Sequence, residues 1–229
     1  MKKILKVLII LFLAFFIFSV VSYLICENYL EAKLEEAIAQ GYPGTEKVDV
    51  QLEVSSPWQA LRGYIDYCQL RVTNWEQKNW QIDWFEGGFK GVKINIRHLI
   101  MKRILVIENI ERGIMSLTLS ETNLQRGLKN YYQDVDLNIV GDKLVLTLKV
   151  TIFGRELNAQ VGGNLAVHKG GLVFAPQDLK VAGLNLPNYL EEQMLKKLQI
   201  PIPLIELPFS FSLTTVNILQ GKIIITGKV

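Results

Sequence analysis

Cysteine and histidine are scarce in this chain, with two of each in 229 residues. Cys26 ends an apolar run and Cys68 lies inside an apolar strand pattern, so a disulfide framework is excluded and at most one bridge between them stays open. His98 stands beside Arg97 at an expected strand end and His168 beside Lys169 in an expected hairpin turn, where both read as solvated surface groups. Neither has a second His or a Cys at ligand spacing, so no metal site is expected. Also missing are a Gly-x-Ser-x-Gly nucleophile elbow, a phosphate loop and a Gly-x-Gly-x-x-Gly turn. A cell-wall glycosidase would need two placed acids, but Glu35-Glu36 and Glu191-Glu192 lie on helical patterns beside lysines and read as solvated faces. The expectation is a protein that is no enzyme and takes no cofactor.

Acidic residues are absent before Glu27, where Lys2, Lys3 and Lys6 are the only charges. Setting those three aside leaves 22 of the 25 basic residues against 22 acidic ones, a formally neutral remainder. Nucleic acid is excluded as a partner, because a polyanion binder needs a basic field to release counterions. No Pro- or Ser-rich linker divides the roughly 200 residues after the N-terminal run, which suit one domain with a continuous core.

What is present begins with Val7 to Ile25, nineteen residues without a charge. At about 1.5 Å rise per residue they make roughly 28 Å of helix, close to the thickness of a bilayer's hydrocarbon core. Lysines on the N-terminal flank alone place that flank in the cytoplasm and the body outside it, on the cytoplasmic membrane. The run exceeds the core of an ordinary signal peptide, which favours a permanent anchor, although Val20-Val21-Ser22 is a tolerable cleavage site that would release a secreted body. Bulky Ile25 before Cys26 argues against lipoprotein processing. Residues 1–26 are thus an anchor or signal segment and 27–229 an extracytoplasmic domain.

Leu30, Leu34, Ala37 and Ile38 recur at helical spacing between Glu27, Glu31, Glu35 and Glu36, and Gly41 and Pro43 end the pattern, so an amphipathic helix packs on the domain. From Val48 the period becomes two. Tyr64 to Trp75, Gly91 to His98, Ile104 to Glu108 and Gly113 to Leu119 read as strands. Asp134 to Val140 and Lys143 to Phe153 flank a hairpin at Gly141-Asp142. Glu156 to Val167 pairs with Leu172 to Val181, with a bulge at Gly162-Gly163, and Phe209 to Val216 pairs with Lys222 to Val229 around Gln220-Gly221. Two helices interrupt the strands, one capped by Ser120 and one by Asn188. The fold class is α+β: a long, strongly curved antiparallel sheet wrapped around short helices, preceded by one transmembrane helix.

Trp58, Trp75, Trp80 and Trp84 all precede Phe85; most read as core, while Trp80 and Trp84, among Lys78, Asn79, Gln81 and Asp83, are candidates for a membrane-touching loop. Arg97, Lys102 and Arg103, around Leu99, Ile100 and Met101, read as an ordinary charged turn or as a contact for anionic headgroups.

Three stretches carry a family resemblance. Gly113-Ile-Met-Ser-Leu-Thr-Leu-Ser-Glu-Thr-Asn-Leu124, Gly171-Leu-Val-Phe-Ala-Pro-Gln-Asp-Leu-Lys-Val-Ala-Gly183 with Leu186-Pro187, and the terminal Gly221 to Val229 strand resemble the LmeA-like phospholipid-binding family. Pro57-Trp58 with Leu61-Arg62-Gly63 resembles that family's early strand-to-strand turn. The resemblance implies a bacterial, exported or membrane-anchored cell-envelope protein with a lipid-cradling, tubular-lipid-binding-like fold and no enzymatic activity. It transfers no catalytic set, only the kind of ligand.

On one strand Leu144, Leu146, Leu148 and Val150 make an all-aliphatic face. Together with Phe209, Phe211, Leu213, Ile223 and Ile225 of the last hairpin and Leu190, Met194 and Leu198 of the second helix, they are the candidate contacts for the acyl chain of a phospholipid or other acyl lipid. The same residues serve equally as a plain core. Two functions follow: a lipid-binding module used in lipid transfer or envelope assembly, or a non-enzymatic structural or interaction module of an envelope complex, its protein partner unknown.

Overall fold

The computed structural model describes residues 12–13, 26–42, 44–77, 80–132, 134–152, 154–168, 171–181, 187–202 and 209–229. The expected membrane crossing at 7–25 therefore lies outside them except for Phe12 and Leu13, and among the described residues no helix is long and apolar enough to cross a membrane. Helix α1 covers residues 26–41. It is followed by β1 (Lys47–Glu53), α2 (Pro57–Leu61), β2 (Tyr64–Gln77), β3 (Trp80–Ile94), α3 (Ile96–Lys102), β4 (Ile107–Ser120) and α4 (Glu121–Lys129). Then come β5 (Asp136–Val140), β6 (Lys143–Ile152), β7 (Arg155–His168), β8 (Gly171–Val181), α5 (Asn188–Lys197), β9 (Ile200–Ile202), β10 (Ser212–Leu219) and β11 (Lys222–Lys228).

The strands make two sheets in place of the single curved sheet expected: six strands in the order β1-β2-β3-β4-β11-β10 and five in the order β5-β6-β7-β8-β9. The ladder breaks where Ser120 ends β4 and caps α4, because the chain then restarts as a new edge strand. The last hairpin returns to β4 antiparallel, with Ile223 opposite Leu119 and Ile225 opposite Leu117. The bulge expected at Gly162-Gly163 is present as a register shift, with Pro176 opposite Gly163, a place where the missing proline N–H costs the ladder nothing.

The chain forms two compact units, one of residues up to Gly41 with Val48–Leu70 and Gly88–Arg112, the other of Tyr42–Lys47, Arg71–Gly87 and Gly113–Val229. In the first, α1 buries Leu30, Leu34, Ala37 and Ile38 as its spacing requires. Its glutamates do more than face water. Glu31 Oε1 accepts the Leu52 N–H at 2.8 Å and Glu35 Oε1 accepts the Val50 N–H at 3.0 Å. Four helical residues advance about 6 Å and two strand residues about 6.8 Å, so acceptors four apart on a helix match alternate N–H groups of an edge strand. Glu36 instead binds Lys33 at 2.7 Å and Arg103 at 2.8 Å, which holds its carboxyl below the usual range, the Lys33 bond contributing most.

Gly91 to His98 is not one strand, since β3 ends at Ile94 and Asn95 caps α3, its side chain accepting the His98 N–H at 3.1 Å. Conversely, the two strands expected between Ile104 and Leu119 are one, β4. Gly63 has φ +79°, and a Cβ there would overlap Ile94 O, while the Ile94 N–H donates to Gly63 O at 2.9 Å. That close approach sets the end of α2 beside the start of α3.

In the second unit α4 has a different partner on each side. Toward β3, Asp83 accepts from Ser120 N–H (2.5 Å), Ser120 Oγ (3.1 Å) and Asn123 Nδ2 (2.9 Å), and Gly127 lies against the Trp80 ring. Toward β5, Gln125 Oε1 accepts the Leu137 N–H at 2.6 Å and Glu121 Oε2 the Ile139 N–H at 2.7 Å. This is the arrangement of α1 on β1 repeated, and β1 and β5 each lie at an edge of their sheet.

Candidate functional site

The proposed lipid contacts fall into three groups, all in the second unit. Leu144 and Leu146 of β6 are buried, Leu148 is half-buried, and β6 pairs Leu146 with Val161 and Leu148 with Ala159 of β7. Val150 is in the same strand opposite Leu157. Leu213, Ile223 and Ile225 are buried in the β10–β11 hairpin, and Phe211 lies close to Gly227, within the same layer as Met115. Phe209 is half-buried just before it. Leu190, Met194 and Leu198 are half-buried on or just after α5, which packs on β8, while β10 runs against β7. Asn188 does not cap α5; Pro187 occupies that position without a side-chain bond, and Asn188 is the first helical residue.

The aliphatic face of β6 is covered by α4 and the turn after it. Leu128 and Tyr132 close over Leu137, Leu144, Leu146 and Phe174, leaving an apolar void of about 10 Å³. That is the space of a single water, in a lining with no polar partner to hold one. Leu144 and Leu146 are thus core residues as they stand, and the half-buried members, Leu148, Leu190, Met194, Leu198, Phe209 and Phe211, form the reachable part of the set.

Trp80 and Trp84 do not form a loop: both lie in β3, Trp80 buried and stacked on Tyr131 at 6.4 Å, Trp84 partly exposed. Alternation at the start of β3 places Trp80 and Ile82 inward, and the phase then shifts so that Phe85, Gly87 and Phe89 are buried while Trp84 is exposed. Trp75 is likewise core, edge-on to Phe85 at 5.4 Å and to Tyr42 at 5.0 Å. The most exposed indole among the described residues is Trp58, on α2.

Both cysteines are free thiols. Burial, followed by the nearby Glu31 charge, pushes the Cys68 thiol up to about 12, which leaves it inert. Burial, then the Glu31 and Glu53 charges, raises the Glu27 carboxyl above the usual range. Among the described residues no group of His, Cys, Asp and Glu is placed to hold a metal ion. The site's polar resources are hydrogen bonds that hold α4 and the sheet edges; what the arrangement offers chemically is apolar surface.

No curated protein and no solved structure matches the chain. The family model described as LmeA-like phospholipid-binding matches residues 21–228, nearly the whole of the chain after its apolar run. On that coverage, and with the described parts of the three motif stretches lying chiefly in β4 and α4, in β8, and in β11, the chain belongs to the LmeA-like phospholipid-binding family.

Proposed function

We propose that this protein is anchored by residues 7–25 at the outer face of the cytoplasmic membrane and holds a phospholipid acyl chain against the half-buried apolar residues of α5, β6 and the segment leading into β10, for lipid transfer or envelope assembly. The family match over 21–228 carries this reading. Each acyl methylene taken from water contributes about 0.8 kcal/mol, so a dozen contribute about 10 kcal/mol in an apolar groove. A bilayer offers the same gain, so exchange between bilayer and groove is nearly balanced. A tether keeps the groove at high local concentration beside its lipid source. No step of covalent chemistry is involved.

A second reading, a non-enzymatic structural or interaction module of an envelope complex, is favoured by one observation: Leu144, Leu146 and Ile223 are completely enclosed and the void beneath α4 is about 10 Å³. Lipid extraction and mass spectrometry of the detergent-purified full chain separates the two. The lipid reading expects stoichiometric phospholipid, lost in Met194→Glu and Phe211→Glu with little change in melting temperature. Absence of bound phospholipid from the wild-type chain would establish the second reading in its place.

A further inference from the structure

The first unit carries an exposed apolar surface that the fold does not use. On α2 only Ala60 is buried, while Trp58 is 76% exposed and Leu61 54%. On α3 only Leu99 is buried, while Met101 is 77% exposed, and Ile104, just beyond the helix, 52%. Gly63 and Ile94 join the two helices at one end of the β2–β3 pair, so these side chains belong to one tip. Such a concentration of large apolar groups around two short helices is unusual for surface that meets only water.

The charge at this tip has one sign. Residues 55–63 and 95–106 carry Arg62, Arg97, Lys102 and Arg103 and no carboxylate, in a chain whose portion after Cys26 is balanced as a whole. Of the neighbouring carboxylates, Asp66 accepts from Ser55 N–H (2.5 Å) and Oγ (2.7 Å), Glu108 from Lys93 (3.1 Å) and Asn95 (3.2 Å), and Glu36 from Arg103 (2.8 Å), while Glu27 and Glu53 lie near each other where α1 begins and β1 ends. Among the described residues no ion pair is formed by Arg62, Arg97 or Lys102.

The tip also lies at the end of the unit where α1 begins. α1 lies antiparallel to β1, Glu35 level with Val50 and Glu31 level with Leu52. Continued toward its N-terminus, α1 begins level with Val54, two residues before the Ser56 cap of α2. An anchor preceding α1, as proposed above, would hold this end of the unit beside the bilayer. Indole and aliphatic groups flanked by cations suit the interfacial layer, where rings sit at headgroup depth and Lys and Arg meet anionic lipid.

We propose that the α2–α3 tip docks on the surface of an anionic phospholipid bilayer, with Trp58, Leu61, Met101 and Ile104 entering the interface and Arg62, Arg97 and Lys102 binding headgroup phosphates. The choice of occupant rests on the lipid-handling reading above; the surface is separate from the acyl contacts of the second unit. The test is the full chain reconstituted in vesicles of phosphatidylglycerol and dibrominated phosphatidylcholine at 3:7, with tryptophan emission compared between wild type and Trp58→Phe. The expected result is a bromine-quenched component that vanishes in Trp58→Phe, falls at least twofold when phosphatidylglycerol is replaced by neutral lipid, and falls similarly in Arg62→Gln/Arg97→Gln. Equal quenching in wild type and Trp58→Phe, or quenching indifferent to lipid charge and to the arginines, overturns the proposal. Phospholipid co-purified with each protein is measured alongside. Its absence from the wild type would sink the acyl-holding reading but not the docking, and its persistence in Trp58→Phe with no quenching difference would sink the docking but not the holding.

Discussion

Replacing Gly127 by alanine tests whether α4 is the element that fills the second unit. A Cβ at that position would lie 2.9 Å from Trp80 Cδ2 and closer still to Cε3 and Cζ3, atoms of a rigid, buried ring stacked on Tyr131. Relief requires helix and ring to separate by about 1 Å, and against a rigid buried ring this lies in the upper part of the overpacking range, about 2–3 kcal/mol. Alanine returns about 1 kcal/mol in helix propensity, so the net loss is about 1–2 kcal/mol. For a folded part of this size each kcal/mol lowers the midpoint by about 2–4 °C, which predicts a fall of about 2–8 °C. Thermal unfolding followed by circular dichroism measures it, and tryptophan emission reports the ring directly. A double-mutant cycle with Trp80→Leu should show coupling, since the smaller side chain leaves room for the methyl group. If Gly127→Ala melts at or above the wild-type temperature, α4 does not rest on Trp80 and the account of how the sheet face is covered fails.

Removing the Gln125 side chain should cost about 1–3 kcal/mol, because the Leu137 N–H loses its acceptor at 2.6 Å; urea unfolding of Gln125→Ala checks this, and an unchanged midpoint refutes the edge-covering role. Glu27→Gln should stabilise the protein at pH 7 and not at pH 4. Burial raises the folded carboxyl's pKa, so between its unfolded and folded values the native state binds more protons and stability falls as pH rises, a cost that glutamine lacks. Melting of both proteins at the two pH values decides it, and an equal gain at each would contradict the sign. Cys68, held near 12 by burial, should resist iodoacetamide at pH 8 in the native state and react once unfolded; peptide mass spectrometry reads the outcome, and rapid native labelling would argue against its enclosure.

Much of this architecture is legible in the residues themselves. The stripe Leu30, Leu34, Ala37, Ile38 defines α1, and the β6, β7, β8 and β11 boundaries fall within two residues of their turn signals. Ser120 caps α4 as its position suggests. What escaped has local causes. A five-residue and a seven-residue helix, α2 and α3, are too short for a helical period to emerge, although Ser56-Pro57 and Asn95 are capping signals that mark them in hindsight. Strand β9, three residues with Pro201 at the centre and Pro203 following, has no sequence signal because proline argues against a strand except at an edge, which is where it lies. The split into two sheets depends on pairing between β4 and β11, a hundred residues apart, which no local pattern encodes. Glu35 reads as a solvated charge because a carboxylate that accepts a strand N–H has the same spacing as one that faces water. Apolarity alone does not separate enclosed side chains such as Leu144 and Ile223 from half-buried ones such as Met194 and Phe211.

The acceptor pairs on α1 and α4 make residue count in those helices as constrained as residue identity. Inserting one residue between Glu31 and Glu35, or between Glu121 and Gln125, would swing the second acceptor by about 100° around the axis, away from its strand. Length variation is thereby steered into hairpins such as Gly141-Asp142 and Gln220-Gly221, where a glycine with positive φ closes the turn and a Cβ would meet open space. Because α1 is locked in azimuth on β1, an added or deleted residue would also turn the N-terminal end of α1 relative to the Val54 end of β1.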